Sequence, residues 1–209
     1  LGFFTLRYYS LLFAAGFFLG YRQMRKWFTS AGLTNEQLDT LLTTMVVATV
    51  VGARLGHVFF YDWHYYQNHL VEILYVWEGG LASHGAAAAI LVAVFWYAKY
   101  VINKPYLWMM DRLVITVALA AVFIRTGNLM NSEIIGKPTD LPWGFKFMRD
   151  YEFNPSGLAA FVVPRHPSQL YEALSCLVIF AFLVWMWNKQ KQNTPHGVLT
   201  GLFMIILFT

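Results

Sequence analysis

Charge is scarce in this sequence: Asp, Glu, Lys and Arg make up 12% of its 209 residues, well under the roughly 25% usual in soluble domains. Hydrophobic residues make up 58% and aromatic residues 18%, a composition that favours lipid over water as the solvent. The single cysteine, Cys176, excludes an intramolecular disulfide and is expected to be inert packing. We attribute the net charge of +4 to the cytoplasmic Lys and Arg that set the orientation of membrane proteins, and we expect no nucleic-acid partner.

Motifs of several enzyme classes are missing as well. No spacing of His, Cys and carboxylates matches a zinc site, so neither a metal nor another cofactor is expected. The sequence has no Gly-x-Ser-x-Gly nucleophile elbow and no Gly-x-x-x-x-Gly-Lys phosphate loop. Their absence disfavours a hydrolase triad and a nucleotide-driven pump.

Long apolar runs are what the sequence does contain. Runs that reach the roughly 20 residues needed to cross a bilayer lie at about 3–21, 40–61, 81–100, 111–131 and 167–187, and a sixth begins near 197. The predicted fold is an all-α, polytopic transmembrane protein with five full spans and the start of a sixth, forming a single membrane domain over residues 1–209. Because the chain starts without Met and stops at Thr209 inside an apolar run, we expect a fragment lacking the C-terminal span or spans.

The distribution of Lys and Arg predicts the orientation of these spans. Eight of them flank the spans on one side and are expected to be cytoplasmic: Arg22, Arg25, Lys26, Lys99, Lys104, Arg112, Lys189 and Lys191. The loop from Tyr61 to Gly80 has no Lys or Arg, so this loop and the amino terminus are expected outside. A long second outer loop is predicted at about 132–166, although it carries Lys137, Lys146, Arg149 and Arg165.

Polar residues within the predicted spans are the main functional signal. An Arg deep in a span costs at least ~2.5–3.5 kcal/mol on insertion scales and is usually retained where it acts. At about 1.5 Å per residue, this topology gathers polar side chains from every span in the outer half of the membrane. They are Tyr9, Arg54, His57, His84, Arg125, Asn128, Asn131, Glu133, Arg165, His166, Gln169 and Glu172. Such a layer favours chemistry or binding on a lipid headgroup; structural ion pairs among Arg54, Glu133 and Glu172 are the alternative.

Two residue types in this layer suggest a specific chemistry. Guanidinium groups bind phosphate through parallel hydrogen bonds and keep their charge, which favours anion recognition by Arg125. A neutral imidazole at His84 is a suitable base for a thiol, whose pKa of about 8.5 leaves it mostly protonated at neutral pH. A hydrogen-bonded interface residue is the alternative reading of His84.

Two sequence blocks resemble the signature of the bacterial prolipoprotein diacylglyceryl transferases. They are RTGNLMNSEIIG at Arg125–Gly136 and RHPSQLYE at Arg165–Glu172, in that order. The stretch GARLG at 52–56, the block GGLASHG at 79–85 and Tyr9 also look like elements of that family. The resemblance therefore covers essentially the whole chain.

The resemblance implies a transferase of the bacterial inner membrane, with a periplasmic amino terminus and a site toward the periplasm. Such an enzyme moves the diacylglyceryl group of phosphatidylglycerol onto the lipobox cysteine thiol of a prolipoprotein, the first step of lipoprotein maturation. A thioether forms and glycerol phosphate leaves. Phosphatidylglycerol, lipobox peptides and the bilayer are the implied partners. A membrane transporter or lipid-binding channel is the alternative function.

The resemblance also implies roles for individual residues. It implies catalytic roles for His84, Arg125 and Tyr9, binding of phosphatidylglycerol by Arg125, Asn128, Glu133, Arg54 and Gly136, and support from His57, Asn131, Arg165, His166, Gln169 and Glu172. The chain departs from the family pattern at Ala86, where a second Gly usually follows the histidine. The family also places a further Arg and Glu in the span that this chain only begins.

Overall fold

The computed structural model describes residues 8–148, 162–190 and 195–208, and this part of the chain is helical, without a β-strand. Its seven α-helices are α1 (Tyr8–Ser30), α2 (Asn35–Phe60), α3 (Trp63–Tyr66), α4 (Ser83–Tyr100), α5 (Tyr106–Asn131), α6 (Ser168–Gln190) and α7 (Val198–Phe208). Short 3-10 helices lie at Leu70–Leu74 and Val76–Glu78. The predicted all-α class is confirmed for these residues.

Within these described ranges, three helices are long and apolar enough to cross a membrane: Asn35–Phe60, Tyr106–Asn131 and Ser168–Lys189. They correspond to the second, fourth and fifth predicted spans. The first predicted span differs at its end, because α1 continues to Ser30 through the cations that were expected to follow it. Arg and Lys are good helix formers, so a charged stretch need not end a helix. Residues 3–7 of that predicted span lie outside the described residues.

The chain divides into two compact units, which we describe separately. The continuous unit is Arg25–Met110, and the discontinuous unit combines Leu1–Met24 with Asp111–Thr209. The continuous unit holds α2, α3 and α4, and the discontinuous unit holds most of α5 together with α6 and α7.

In the continuous unit, α2 and α4 pack closely and run antiparallel. Thr34 and Gln37 form a capping box that starts α2, and the Tyr97 hydroxyl of α4 donates to the Gln37 carbonyl at 2.6 Å. Toward the other end of the pair, a Cβ added at Gly56 would lie 2.7 Å from the Gly85 Cα. Glycine at both positions is therefore what lets the two helix backbones approach.

In the discontinuous unit, α5 and α6 are antiparallel and touch near both ends. The Arg112 guanidinium of α5 lies 4.6 Å from the centre of the Trp187 ring of α6, and Arg125 meets Glu172 at the opposite end. The helix α7 is tied to α5 by the buried carboxylate of Asp111. That carboxylate accepts from the backbone N–H groups of Gly197 and Thr200 at 2.7 and 2.9 Å, and so caps the start of α7.

The segment predicted as the long second outer loop is not helical where it is described. The backbones of Phe145 and Arg165 exchange two hydrogen bonds of 2.9 Å, and the Thr139 N–H donates to the Pro164 carbonyl at 2.9 Å. The two sides of the segment are therefore held together next to the ends of α5 and α6. Residues 149–161, including Arg149, lie outside the described residues, and so does Lys191.

Candidate functional site

An ion pair joins the two helices of the discontinuous unit that carry the sequence blocks at 125–136 and 165–172. Arg125 Nε lies 2.6 Å from Glu172 Oε2, and the two side chains are 34% and 41% exposed. Among the described residues, neither side chain has another hydrogen bond or ion pair. The Arg125 Nη1 and Nη2 groups therefore remain as donors for a further acceptor, and a phosphate could take both.

Glu133, just past the end of α5, is held in a different way. Its carboxylate accepts from Asn128 Nδ2 at 2.8 Å and from Asn131 Nδ2 at 3.1 Å. Its main-chain carbonyl accepts from the fully buried Gln169 of α6. Within the described part of the chain this carboxylate has two amide donors and no cation, so hydrogen bonds alone fix its position.

The turn around Glu133 has an unusual backbone. Ser132 and Ile134 have φ of 59° and 56°, in the left-handed region that a β-branched residue such as Ile rarely adopts. The Ser168 hydroxyl donates to the Ile134 carbonyl at 2.7 Å, and Gln169 donates to the preceding carbonyl. The start of α6 thus holds a strained turn in place, an arrangement that is common at functional sites.

The end of the same turn contacts the segment that precedes α6. The Gly136 N–H donates to the His166 carbonyl at 3.1 Å, and Arg165 Nη1 donates to the Gly136 carbonyl at 3.2 Å. A Cβ at Gly136 would lie only 2.6 Å from the His166 carbonyl oxygen, so any other residue would push the two backbone segments apart. The structure therefore brings together the two sequence blocks on which the resemblance rests.

Tyr9 of α1 lies against α5 in the same unit. A Cβ added at Gly127 would lie 2.7 Å from Cδ2 of the Tyr9 ring, so the ring packs against Gly127. In the sequence, Gly127 is next to Asn128 and two residues after Arg125. Tyr9 also stacks with Phe13, with ring centres 6.3 Å apart. The glycine leaves the space that the ring occupies.

Arg54, in the continuous unit, is engaged by main chain. It is 3% exposed, and it donates to the carbonyls of Ile73 at 2.9 Å, Gly79 at 2.7 Å and Glu72 at 2.6 Å. A fourth carbonyl, that of Gly80, lies 3.5 Å away, and the guanidinium sits 5.0 Å from the centre of the Tyr66 ring. Arg54 therefore fastens the loop between α2 and α4; its direct contact with a lipid stays a prediction.

The two histidines of the predicted site that lie in the continuous unit have aromatic surroundings. His57 stacks with Tyr61 and lies 3.6 Å from an Asp62 carboxylate oxygen. His84 is exposed at the start of α4, with the rings of Phe60 and Tyr61 at centre distances of 5.1 and 5.7 Å. No hydrogen bond of the His84 ring occurs within the described residues, so both ring nitrogens are open to a ligand.

Several contacts of the site escaped the sequence analysis. The Tyr171 hydroxyl accepts from Trp143 Nε1 at 2.9 Å and lies 3.2 Å from His166 Nδ1. Because Tyr171 lies inside the block at 165–172, the sequence could have indicated that it belongs to the site. Nothing in the sequence indicates its contact with Trp143. Outside the site, near the other end of α5, the sequence could also have indicated a partner for Asp111, since an acidic residue within an apolar helix is expensive without one.

The described residues form helices of membrane-spanning length, and a partly exposed charged pair joins two of them. These features define a class, that of helical, multi-pass membrane proteins with an ion pair between their helices. A model of the family described as prolipoprotein diacylglyceryl transferase matches residues 1–209. The chain belongs to this family.

Curated relatives named phosphatidylglycerol–prolipoprotein diacylglyceryl transferase match over nearly the whole chain. The one from Tolumonas auensis is 44% identical over 208 residues, which are 100% of this chain and 76% of the relative. Those from Porphyromonas gingivalis and Chloroherpeton thalassium are each 41% identical, cover 96% and 97% of this chain, and are themselves covered to 71% and 74%.

Proposed function

We propose that this protein transfers the diacylglyceryl group of phosphatidylglycerol to the lipobox cysteine thiol of prolipoproteins. Family membership supports the proposal, since the similar proteins carry that activity in their names. The observation that carries it is the Arg125 guanidinium, which is half-exposed in an apolar helix and meets a single carboxylate through one nitrogen. Such a group is suited to a lipid phosphate, which brings its own acyl chains into the membrane.

The reaction breaks one carbon–oxygen bond and forms one carbon–sulfur bond. The cysteine sulfur attacks the glyceryl carbon that bears the phosphate, and the phosphate oxygen leaves with the bonding electron pair as part of glycerol phosphate. The thiol proton passes to a base. Arg125 would stabilise the negative charge that grows on the departing phosphate, which is the main electrostatic demand of the step.

Further roles follow from the surroundings of each residue. We propose that His84 assists thiol deprotonation or orients the lipid, because its ring nitrogens have no hydrogen bond among the described residues. Tyr9, Asn128 and Glu133 would hold the headgroup. The Gly136 turn would position Glu133, with support from Asn131, Arg165, His166 and Gln169, and Glu172 would support the site through its ion pair with Arg125. We assign Arg54 and His57 to the support of the loop that ends at Gly80.

We further propose a five-span topology in the bacterial inner membrane, with the amino terminus in the periplasm and residues 1–209 in one membrane domain. The cations Arg22, Arg25 and Lys26 would then be cytoplasmic, and the loop Tyr61–Gly80, free of Lys and Arg, would be periplasmic. Arg125 lies six residues before Asn131, about 9 Å from the end of α5, which would set the phosphate site toward the periplasmic surface.

The decisive experiment is transfer by the purified protein, expressed from its complete gene and held in micelles of phosphatidylglycerol. With a lipobox peptide as acceptor, mass spectrometry should detect a diacylglyceryl adduct on the peptide cysteine, and none on a peptide with Ser in its place. A folded sample that yields no adduct contradicts the proposal. Since the chain itself has one cysteine, Cys176, the mass of the protein must be followed in parallel.

A further inference from the structure

Glu172 is the only ionic partner of Arg125 among the described residues, and its negative charge lies at Nε of the guanidinium whose Nη1 and Nη2 groups we assign to the lipid phosphate. We infer that Glu172 is a displaceable counter-ion: it neutralises Arg125 between turnovers, yields to phosphatidylglycerol, and returns to help expel glycerol phosphate. This inference rests on the proposed function and adds a positioning residue that regulates the same site.

The exposure of the pair makes displacement feasible. A sealed ion pair inside a membrane would be very expensive to open, because each charge would be left without a partner. The Arg125 and Glu172 side chains are 34% and 41% exposed, so the pair borders open space from which another anion can approach. A phosphate that approaches from this space keeps Arg125 paired while the carboxylate leaves, so the exchange does not leave the guanidinium without a partner.

Glu172 is also free to leave, in contrast to Glu133. The Glu133 carboxylate is fixed by two amide donors, Asn128 and Asn131. In the part of the chain that the structure describes, the Glu172 carboxylate is held by Arg125 alone. Rotation of the Glu172 side chain therefore breaks no hydrogen bond other than the one to Arg125 Nε, and a phosphate on Nη1 and Nη2 keeps the guanidinium paired.

Because substrate and product differ in charge, Glu172 affects the binding of each to a different degree. Phosphatidylglycerol is a phosphodiester with one negative charge, whereas glycerol phosphate is a monoester that carries nearly two at pH 7, because its second pKa is about 6. The Glu172 carboxylate repels the product more strongly than the lipid. It therefore weakens product binding more than substrate binding and favours product departure.

Transfer rates at increasing concentrations of added glycerol phosphate test the inference, with inorganic phosphate as a second inhibitor. Glu172→Gln should lower the inhibition constant of glycerol phosphate about tenfold, the size expected when a competing charged hydrogen bond is removed. The KM for phosphatidylglycerol should fall by a smaller factor. Inorganic phosphate should follow glycerol phosphate, since the shared group is the phosphate. General damage to the site would raise these constants and would not lower them.

The matched control is Asp140→Asn, which removes an exposed carboxylate from the same unit; Asp140 has no ion pair within the described residues. The control should leave the inhibition constant of glycerol phosphate unchanged. An equal fall of this constant in both variants would show that the loss of any negative charge has the same effect, and it would overturn the inference. An unchanged or raised constant in Glu172→Gln overturns it as well. If wild-type protein shows no transfer, the proposed function itself fails.

Two further measurements cover variants that fold poorly or lose activity. If Glu172→Gln folds but does not transfer, calorimetric binding of glycerol phosphate replaces kinetics: tighter binding supports the inference, and unchanged or weaker binding contradicts it. If the Gln variant does not fold, Glu172→Asp takes its place. Its shorter side chain cannot keep the 2.6 Å contact, so its inhibition constant should fall part of the way, and no fall would contradict the inference.

Discussion

Two arginines within candidate membrane-spanning helices have opposite surroundings in the two units of this protein. Arg54, in α2 of the continuous unit, is 3% exposed and donates to the main-chain carbonyls of a single loop. Arg125, in α5 of the discontinuous unit, is 34% exposed and touches one carboxylate through Nε. An intramembrane arginine therefore does not by itself mark a binding site; the partners of its guanidinium decide whether it fastens the fold or awaits a ligand.

The largest effect is expected at Arg125. Arg125→Gln should reduce transfer by about 1,000-fold, because the charge that stabilises the departing phosphate is lost. Mass spectrometry of the lipobox peptide measures the rate. The double variant with Glu172→Gln is the folding control, since it leaves no unpaired carboxylate at this position; it should fold and remain inactive. Transfer near the wild-type rate in a folded Arg125 variant would remove the phosphate role.

A smaller effect, mainly on stability, is expected at Arg54. Arg54→Met keeps much of the side-chain volume but removes the donors to the Glu72, Ile73 and Gly79 carbonyls. The free energy of unfolding should fall by roughly 3 kcal/mol, and proteases should cleave the loop Tyr61–Gly80 faster. Limited proteolysis and thermal melting measure both. A raised KM for phosphatidylglycerol with an intact loop would instead mean that Arg54 contacts the lipid.

The smallest effect is expected at Tyr65, whose hydroxyl donates to the Glu72 carboxylate at 2.7 Å. This bond raises the pKa of Tyr65 above 10.0. The folded protein therefore holds the phenol proton more tightly than the unfolded chain, and the stabilisation is present below about pH 10 and lost as pH rises through the folded pKa.

Tyr65→Phe should leave transfer and loop protection unchanged, because Arg54 binds the Glu72 main chain and not its side chain. Thermal melting at pH 8 and again above pH 10 measures the remaining effect, which should shrink at the higher pH. Faster cleavage of the loop in this variant would show that the Glu72 side chain, and not Arg54, fastens it.

The sequence allowed prediction of the helices more readily than of their ends. Long apolar runs indicated α2, α5 and α6, because only a helix satisfies its backbone groups in lipid. The predicted ends were displaced: α5 begins at Tyr106 instead of 111, and α1 continues to Ser30. Helical hydrogen bonding continues past the membrane boundary wherever the residues favour it, so hydropathy does not mark the end of a helix.

The members of the site were more predictable than their partners. Helical spacing grouped Arg125 with Asn128, and the blocks at 125–136 and 165–172 indicated which segments belong together. Nothing in the sequence could assign Arg54 to three or four carbonyls, because every residue carries a carbonyl and the choice depends on how the loop folds. The pairing of Arg125 with Glu172, and not with Glu133, likewise depends on side-chain geometry.

Chemical modification of the arginines tests this comparison most directly. The protein in detergent is treated with phenylglyoxal, which modifies accessible arginine side chains, and the modified peptides are quantified by mass spectrometry. Arg125 should react and be protected by added glycerol phosphate, whereas Arg54 should react only after denaturation. An Arg54 that reacts as fast as Arg125 in the folded protein, or an Arg125 that glycerol phosphate does not protect, would contradict the account.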